Sequence, residues 1–251
     1  MLDMTDHDNH SFLGQLLSVM DCKHHWAWPH FAGPAVTKKQ LKTHFCQEYQ
    51  VYVRDFPVFL ARIHGQSPPQ RVRTMLAENI YEEDTGRLSV GRPHPTLFME
   101  MMNGLGFSPE LLEQATLLPA SRAYREWLDS ITGQADWLVS IAVLTIFVEG
   151  SIHDRRELLH SASPKTPQEI EDLISAHPLV RHHGLSPDVM DLVRAHQMVE
   201  AGHRHDAYET VVGYAEKADQ QSRVLDALRL SLDRWLRYRD GVADACGIVR
   251  P

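Results

Sequence analysis

The chain has 251 residues, long enough for one sizeable core, and no shift in composition marks a second unit, so residues 1–251 read as a single domain. Its 33 acidic residues outnumber 25 basic ones, for a net charge of -8, and no Lys/Arg stripe breaks that excess. Nucleic acid and acidic membrane surfaces are thereby excluded as expected partners, which leaves a small molecule.

Residues 137–148 form the longest apolar run, short of the roughly 18 residues a membrane span needs. The first residues, with Asp3, Asp6, His7 and Asp8, do not read as a signal peptide, and a cytoplasmic location is expected. Three scattered cysteines, Cys22, Cys46 and Cys246, form neither a disulfide framework nor a CxxC metal pattern. Histidine is abundant, at 16 residues, which directs attention to imidazole chemistry.

Apolar residues recur at three- and four-residue spacing almost throughout, as in Leu225, Leu228, Leu232, Trp235 and Leu236, and no stretch alternates as a strand would. The expectation is all-α. Breaks at residues 29–34, 65–69, 86–95, 104–109, 119, 133, 163–167 and 183–187 divide the chain into about seven to nine helices without internal repeats. Ser108 and Ser186, each followed by Pro and an acidic residue, read as helix N-caps.

Three segments are hard to explain as packing. Glu78-Asn79-Ile80-Tyr81-Glu82-Glu83-Asp84 closes a helix with acidic residues that oppose the helix dipole, and after a loop His94-Pro95 opens the next helix. Cation binding and plain solvation both account for that cluster. Next, Glu149 ends a run that is apolar nearly all round, where a buried carboxylate needs a proton, an ion pair or a metal; emergence of the helix into solvent is the other account. Finally, His196, Glu200 and His203 fall within an arc of about 60° on a helix running from about residue 188 past 214, which is metal-ligand geometry or a solvated polar face. Together these segments offer a mixed nitrogen and oxygen donor set, suited to non-heme iron or manganese.

These residues resemble the heme-oxygenase-like diiron oxidases and oxygenases, the superfamily of the TenA thiaminases and PqqC, and in particular its chlamydial aminobenzoate-forming (CADD-like) branch. The resemblance rests on Thr37 to Leu41, Glu48-Tyr49 with Asp55-Phe56-Pro57, Asn79 to Glu83, Leu105 to Leu112, Glu149, and the His-x3-acid-x2-His element. It implies a heme-oxygenase-like helical bundle and, as a family expectation, a homodimer. The ligands it implies for two Fe ions, or an Fe/Mn pair, are Glu82, His94, Glu149, His196, Glu200 and His203, with O2 as co-substrate. Glu82, Glu149 and His196 would be central to catalysis, and the long interval between Glu82 and His94 leaves room for Glu83 or Asp84 to take part. Glu200 stands where the family usually has Asp. The tyrosine that the chlamydial branch consumes falls near Trp28, and its essential lysine near Leu159, so self-sacrificing aminobenzoate chemistry is not expected. The implied reaction is hydrogen abstraction, C–C cleavage or N-oxygenation of a small amine, amino acid or fatty-acid-like metabolite.

For the substrate pocket the expectation is Tyr49, Tyr52, Phe56, Phe147, His153 and Trp28, with Arg155 or Arg194 as carboxylate partners. His153, four residues after Glu149, is expected on the same helix face. Rival readings are a metal-independent PqqC- or TenA-like enzyme, an HD-type metal hydrolase using His153-Asp154 or His205-Asp206, a heme protein using His24, His25 or His30, and a non-catalytic helical bundle.

Overall fold

A computed structural model describes residues 11–159 and 165–250, with only the backbone described for residues 199–203. Every regular element among them is helical: α1 Phe12–Asp21, α2 Trp28–Phe31, α3 Lys38–Glu48, α4 Phe56–His64, α5 Gln70–Thr85, α6 His94–Gly104 and α7 Pro109–Glu113. The second half adds α8 Pro119–Gln134, α9 Trp137–Ile141, α10 Asp154–Leu159, α11 Pro167–Ala176, α12 Pro178–His183, α13 Asp191–Tyr214 and α14 Ala218–Ala245. These are 14 α-helices among the described residues against the seven to nine expected, because Pro and Gly breaks leave short pieces such as α2, α7, α10 and α12.

Caps set several boundaries. Thr37 with Gln40 opens α3 and Thr166 with Glu169 opens α11 as reciprocal capping boxes, and the Asp136 carboxylate receives the first amides of α9. Each is worth about 1 kcal/mol. Ser186 does accept the Asp188 amide, but it caps only the 3-10 turn Pro187–Val189, and α13 begins afterwards at Asp191. Ser108 precedes the five-residue α7 and makes no side-chain cap bond.

The apolar run after Asp136 is the centre of the molecule, as its all-round hydrophobicity requires. It starts as α9 and widens into a π-helix over Ala142–Val148, on which α13 and α14 pack. Leu144, Ile146 and Phe147 are fully buried there, and truncating Phe147 to Ala would cost about 3 kcal/mol or more. The widening shows in the Glu149 amide, which donates to the Leu144 carbonyl five residues back at 3.2 Å. A second π stretch, Tyr49–Val53, continues α3, with the Arg54 amide donating to the Tyr49 carbonyl at 3.1 Å. Single-turn π segments inside α-helices are frequent at functional sites.

Two glycines shape the turns beyond the site helices. Gly86 ends α5 at φ 61°, and a Cβ there would collide with the Arg92 carbonyl oxygen, so only glycine permits the tight return that delivers His94 to α6. After Glu149 the chain turns at Gly150, where a Cβ would collide with the Ile146 carbonyl and an Asp154 oxygen. Asp154 is completely buried and accepts from the Ser151 amide at 2.8 Å and the Tyr208 hydroxyl at 2.9 Å, with Arg204 Nε at 3.1 Å. Lys23, just beyond the end of α1, closes the same turn: its ammonium donates to the carbonyls of Phe147 at 2.5 Å, Gly150 at 2.6 Å and Val148 at 3.2 Å. A cation at the C-terminal end of a helix also meets its dipole favourably. No helix among the described residues is long and apolar enough to cross a membrane.

Candidate metal centre

The ends of these helices enclose a cavity of about 340 Å³. His94 from the start of α6, Glu149 from the end of the central helix, His196 from α13 and Glu83 from the last turn of α5 line it together. The His94 and His196 rings are 5.1 Å apart between centroids and cross at 68°. Apolar side chains fill the rest of the wall, among them Phe45, Phe56, Phe98, Met101 and Leu192.

The two carboxylates that close α5 address His94 from opposite sides. Glu82, with no exposed surface, places Oε1 3.2 Å from His94 Nε2 and is pinned by the Leu88 amide at 2.7 Å and the Ser89 hydroxyl, without reaching the cavity wall. Glu83 lies in the wall, with Oε1 2.9 Å from His94 Nδ1. The latter approach is off the line of a ring N–H bond, so the buried Nδ1 has no hydrogen-bond partner among the described residues. Burial alone would lower the His94 pKa, but Glu83 and Glu82 outweigh it and leave the imidazole raised. The local field favours a cation.

That arrangement fits a metal by its donor chemistry. Two donors at about 2.1 Å from one ion and at right angles lie about 3 Å apart, the separation that His94 Nε2 keeps from Glu82 and Nδ1 from Glu83, so an ion on either nitrogen would be shared with only one of the two carboxylates. Glu149 is oriented by the Asn79 side-chain amide, which donates to its Oε1 at 3.0 Å. Among the described residues no three or more His, Cys, Asp and Glu side chains close on one point as a finished metal site. The expected ligands Glu200 and His203 belong to α13, and their side chains lie outside the described residues.

With this geometry in view, the profile of the iron-containing redox enzyme family matches residues 43–236, most of the chain. The chain belongs to this family. It is 28% identical over 116 residues to the 4-aminobenzoate synthase of Chlamydia trachomatis, covering 45% of this chain and 48% of that protein. The 4-aminobenzoate synthase of Chlamydia muridarum matches at 28% over 116 residues, 45% and 47% of the two chains. The chain thus spans about half the length of the curated relatives it matches. In fold, this member of the iron-containing redox enzymes is similar to a TenA homologue from Pseudomonas syringae pv. tomato, with a TM-score of 0.67 and 14% identity over 93% of each chain. It is also similar to a domain with a heme oxygenase-like fold from Shewanella denitrificans, TM-score 0.62 and 15% identity over 94% and 85% of the two chains. The heme-oxygenase-like, all-helical architecture is therefore the fold of this chain.

The other expected pocket residues divide. Tyr52 and Phe56 line the metal cavity. Tyr49 is buried and stacks on Phe98 at 5.9 Å, and Phe147 is core under the Lys23 ammonium at 4.9 Å; neither is in the cavity wall. His153 does not share a face with Glu149, because the helix ends at Val148 and the chain turns at Gly150; it lines a second chamber with Trp28. Arg155 pairs with Asp21 at 2.8 Å and Arg194 with Glu171 at 2.7 Å and Asp191 at 2.8 Å, which commits both guanidinium groups elsewhere. Of the rival ligand sets, Asp154 is bound to Arg204 and Tyr208 rather than to a histidine, His25 faces Asp240 at 3.0 Å and His30 faces Gln40 at 3.3 Å.

Other polar residues around the cavities escape the sequence reading. Glu48 accepts from the already expected Tyr52 at i, i+4 in the α3–π segment, and with His44 they form one polar face that the spacing displays. Arg239 falls in the buried stripe of α14, four residues after Trp235, where a lone cation is a readable anomaly. Arg204 lines the metal cavity and is held by Asp154 and Glu157.

Proposed function

We propose that this chain is a non-heme, O2-activating oxidase or oxygenase that works with two iron ions on a small amine, amino acid or fatty-acid-like metabolite. The observation that carries this reading is the convergence of His94, Glu149 and His196, from three separate helices, on one otherwise apolar cavity beside the Glu82 and Glu83 pair. Glu200 and His203, one and two turns further along α13, complete the proposed ligand set, with the α5 carboxylate pair supplying one position. Iron bound there would supply the one-electron chemistry that activates dioxygen.

The chain's own residues do the rest. Asn79 fixes the Glu149 carboxylate. The Leu88 amide and Ser89 hydroxyl hold Glu82, which in turn orients His94. Phe45, Phe56, Phe98, Met101 and Leu192 keep water from the donors, which strengthens each polar interaction inside. Hydrogen abstraction, C–C cleavage and N-oxygenation are the reaction outcomes in scope. The aminobenzoate formation for which the chlamydial relatives are named is not carried over, because the resemblance puts Trp28 and Leu159 near the positions of the side chains that branch requires.

The test is anaerobic titration of metal-free protein with Fe(II), followed by Mössbauer spectroscopy and stopped-flow absorption on mixing with O2. Saturable uptake near two irons per chain with an O2-dependent transient, both lost in Glu149→Ala and His196→Ala, is the expected result. Absence of specific uptake would replace this reading with a metal-independent enzyme on the same fold.

A further inference from the structure

Behind the metal cavity lies a second chamber of about 410 Å³, and the two share Glu48, Tyr52 and Val148 as a common wall. Its character is different. Arg239 brings a permanent cation to it and Lys23 an amine already bonded to the Phe147, Val148 and Gly150 carbonyls, whereas Glu48 is the one carboxylate among its lining residues. Trp28, Trp235 and Tyr124 supply flat apolar walls. In a chain of net charge -8, a pocket with surplus positive charge is set apart from its surroundings.

Arg239 is only 4% exposed. One edge of its guanidinium meets Glu48 at 3.1 Å and the Tyr52 hydroxyl at 3.2 Å, yet its Nε has no hydrogen-bond partner among the described residues. Buried guanidinium N–H groups are seldom left without an acceptor, and with Nη2 on Glu48 and Tyr52 and Nη1 3.4 Å from His44 Nδ1, a single carboxylate oxygen on Nε would complete the set. Burial, with Arg239 nearby, pushes the Lys23 pKa down to about 7 even though Asp154 opposes the shift, and an anion seated beside it would favour the charged form again. A phosphate dianion would bring more acceptors than the open donors can serve, and Glu48 would repel it; a monoanion with an apolar body is the better match.

We propose that this chamber seats the carboxylate of the substrate: a small organic acid docks its carboxylate on Arg239 within the field of Lys23, lays its apolar body against the aromatic walls, and reaches past Tyr52 toward the metal cavity. This deepens the proposed function by naming the substrate class, and it rests on the neighbouring cavity being the reaction site. No bond is made or broken in the docking step itself.

Binding is measured on the full-length, metal-free protein in chelator, by 19F NMR with 4-fluorobenzoate and its neutral counterpart 4-fluorobenzamide. Saturable binding of the acid, roughly tenfold or more tighter than the amide and weakened roughly tenfold or more in Arg239→Gln, is expected. Because Arg239→Gln leaves Glu48 without its cation and risks unfolding, Lys23→Met provides a second variant, expected to weaken the acid roughly threefold or more and leave the amide unchanged. Equal binding of acid and amide, no saturation up to about 50 mM, or acid binding untouched by either folded variant would overturn the proposal. Since no iron is present, a failed Fe(II) titration with intact acid binding would strike the iron reading alone, and the converse would strike the chamber assignment alone.

Discussion

The two cavities share one wall and oppose each other in charge. On the metal side Glu83, Glu149 and the buried Glu82 outnumber Arg204 and face two imidazoles, a field that favours a cation; on the other side Arg239, with the Lys23 amine beside it, faces Glu48 alone, a field that favours an anion. The partition is the hydrogen-bonded pair of Tyr52 and Glu48, braced by Arg239 and by His44, whose Nε2 is 3.3 Å from Glu48 and whose pKa burial pushes down to about 4. Helices distant in sequence build the charge of each side, and on the reading proposed above they would divide one reactive space into a metal end and an anion end.

The largest effect expected to abolish this contrast is loss of the metal end. Glu149→Ala or His196→Ala should weaken Fe(II) binding by roughly a hundredfold or more, read by anaerobic titration, while circular dichroism stays helical. Next in size is the partition itself. Glu48→Gln leaves Arg239 buried without its carboxylate and should cost about 3 kcal/mol in urea unfolding at neutral pH. Burial would raise the Glu48 pKa, but Arg239, His44 and Tyr52 together hold it below the usual 4.5. Its stabilisation is therefore complete above that value and is lost as pH falls through the lower folded value; Glu48→Gln should flatten the acid limb of the stability profile below about pH 4.5. Gly150→Ala, which forces a methyl group against the Ile146 carbonyl and Asp154, should destabilise by about 2 kcal/mol in the same assay.

More discriminating, though smaller, is the comparison of Glu82→Ala with Glu83→Ala. If Glu82 is a ligand and Glu83 a neighbour, the first should reduce Fe(II) affinity at least roughly tenfold more than the second, and a reversed order would assign the cavity-lining Glu83 instead. Smallest of all, Arg155→Gln should change neither metal binding nor acid binding measurably, because its partially exposed pair with Asp21 lies away from both chambers.

Much of this arrangement is legible in the chain. The all-round apolar run ending at Glu149, the acidic close of α5 and the opening of α6 at His94 are local patterns, and local patterns determine helices and their ends. What escapes is non-local or depends on the backbone's finer path. Counting four residues along a helix puts His153 beside Glu149, but the turn at Gly150 ends that count. Arg155 and Arg194 are natural carboxylate partners by composition, yet each finds acidic neighbours on α1, α11 or its own helix. Lys23 meets carbonyls 124 to 127 residues away, a juxtaposition no spacing rule contains. The choice between Glu82 and Glu83 turns on side-chain direction within a single helical turn, which residue type alone leaves open.

The π segment at Ala142–Val148 alters how the chain tolerates a change in length. A widened turn packs one residue more into the same rise than an α-helix would use, so the tract holds a surplus residue at the most crowded point of the core. Deleting one residue from an ordinary buried helix would swing everything beyond it by about 100°. Here a single deletion can instead be absorbed by tightening the coil, with Glu149 keeping its azimuth. A deletion scan across residues 137–148 should therefore find its most permissive positions inside the widest part of the helix, where conventional expectation places the least permissive.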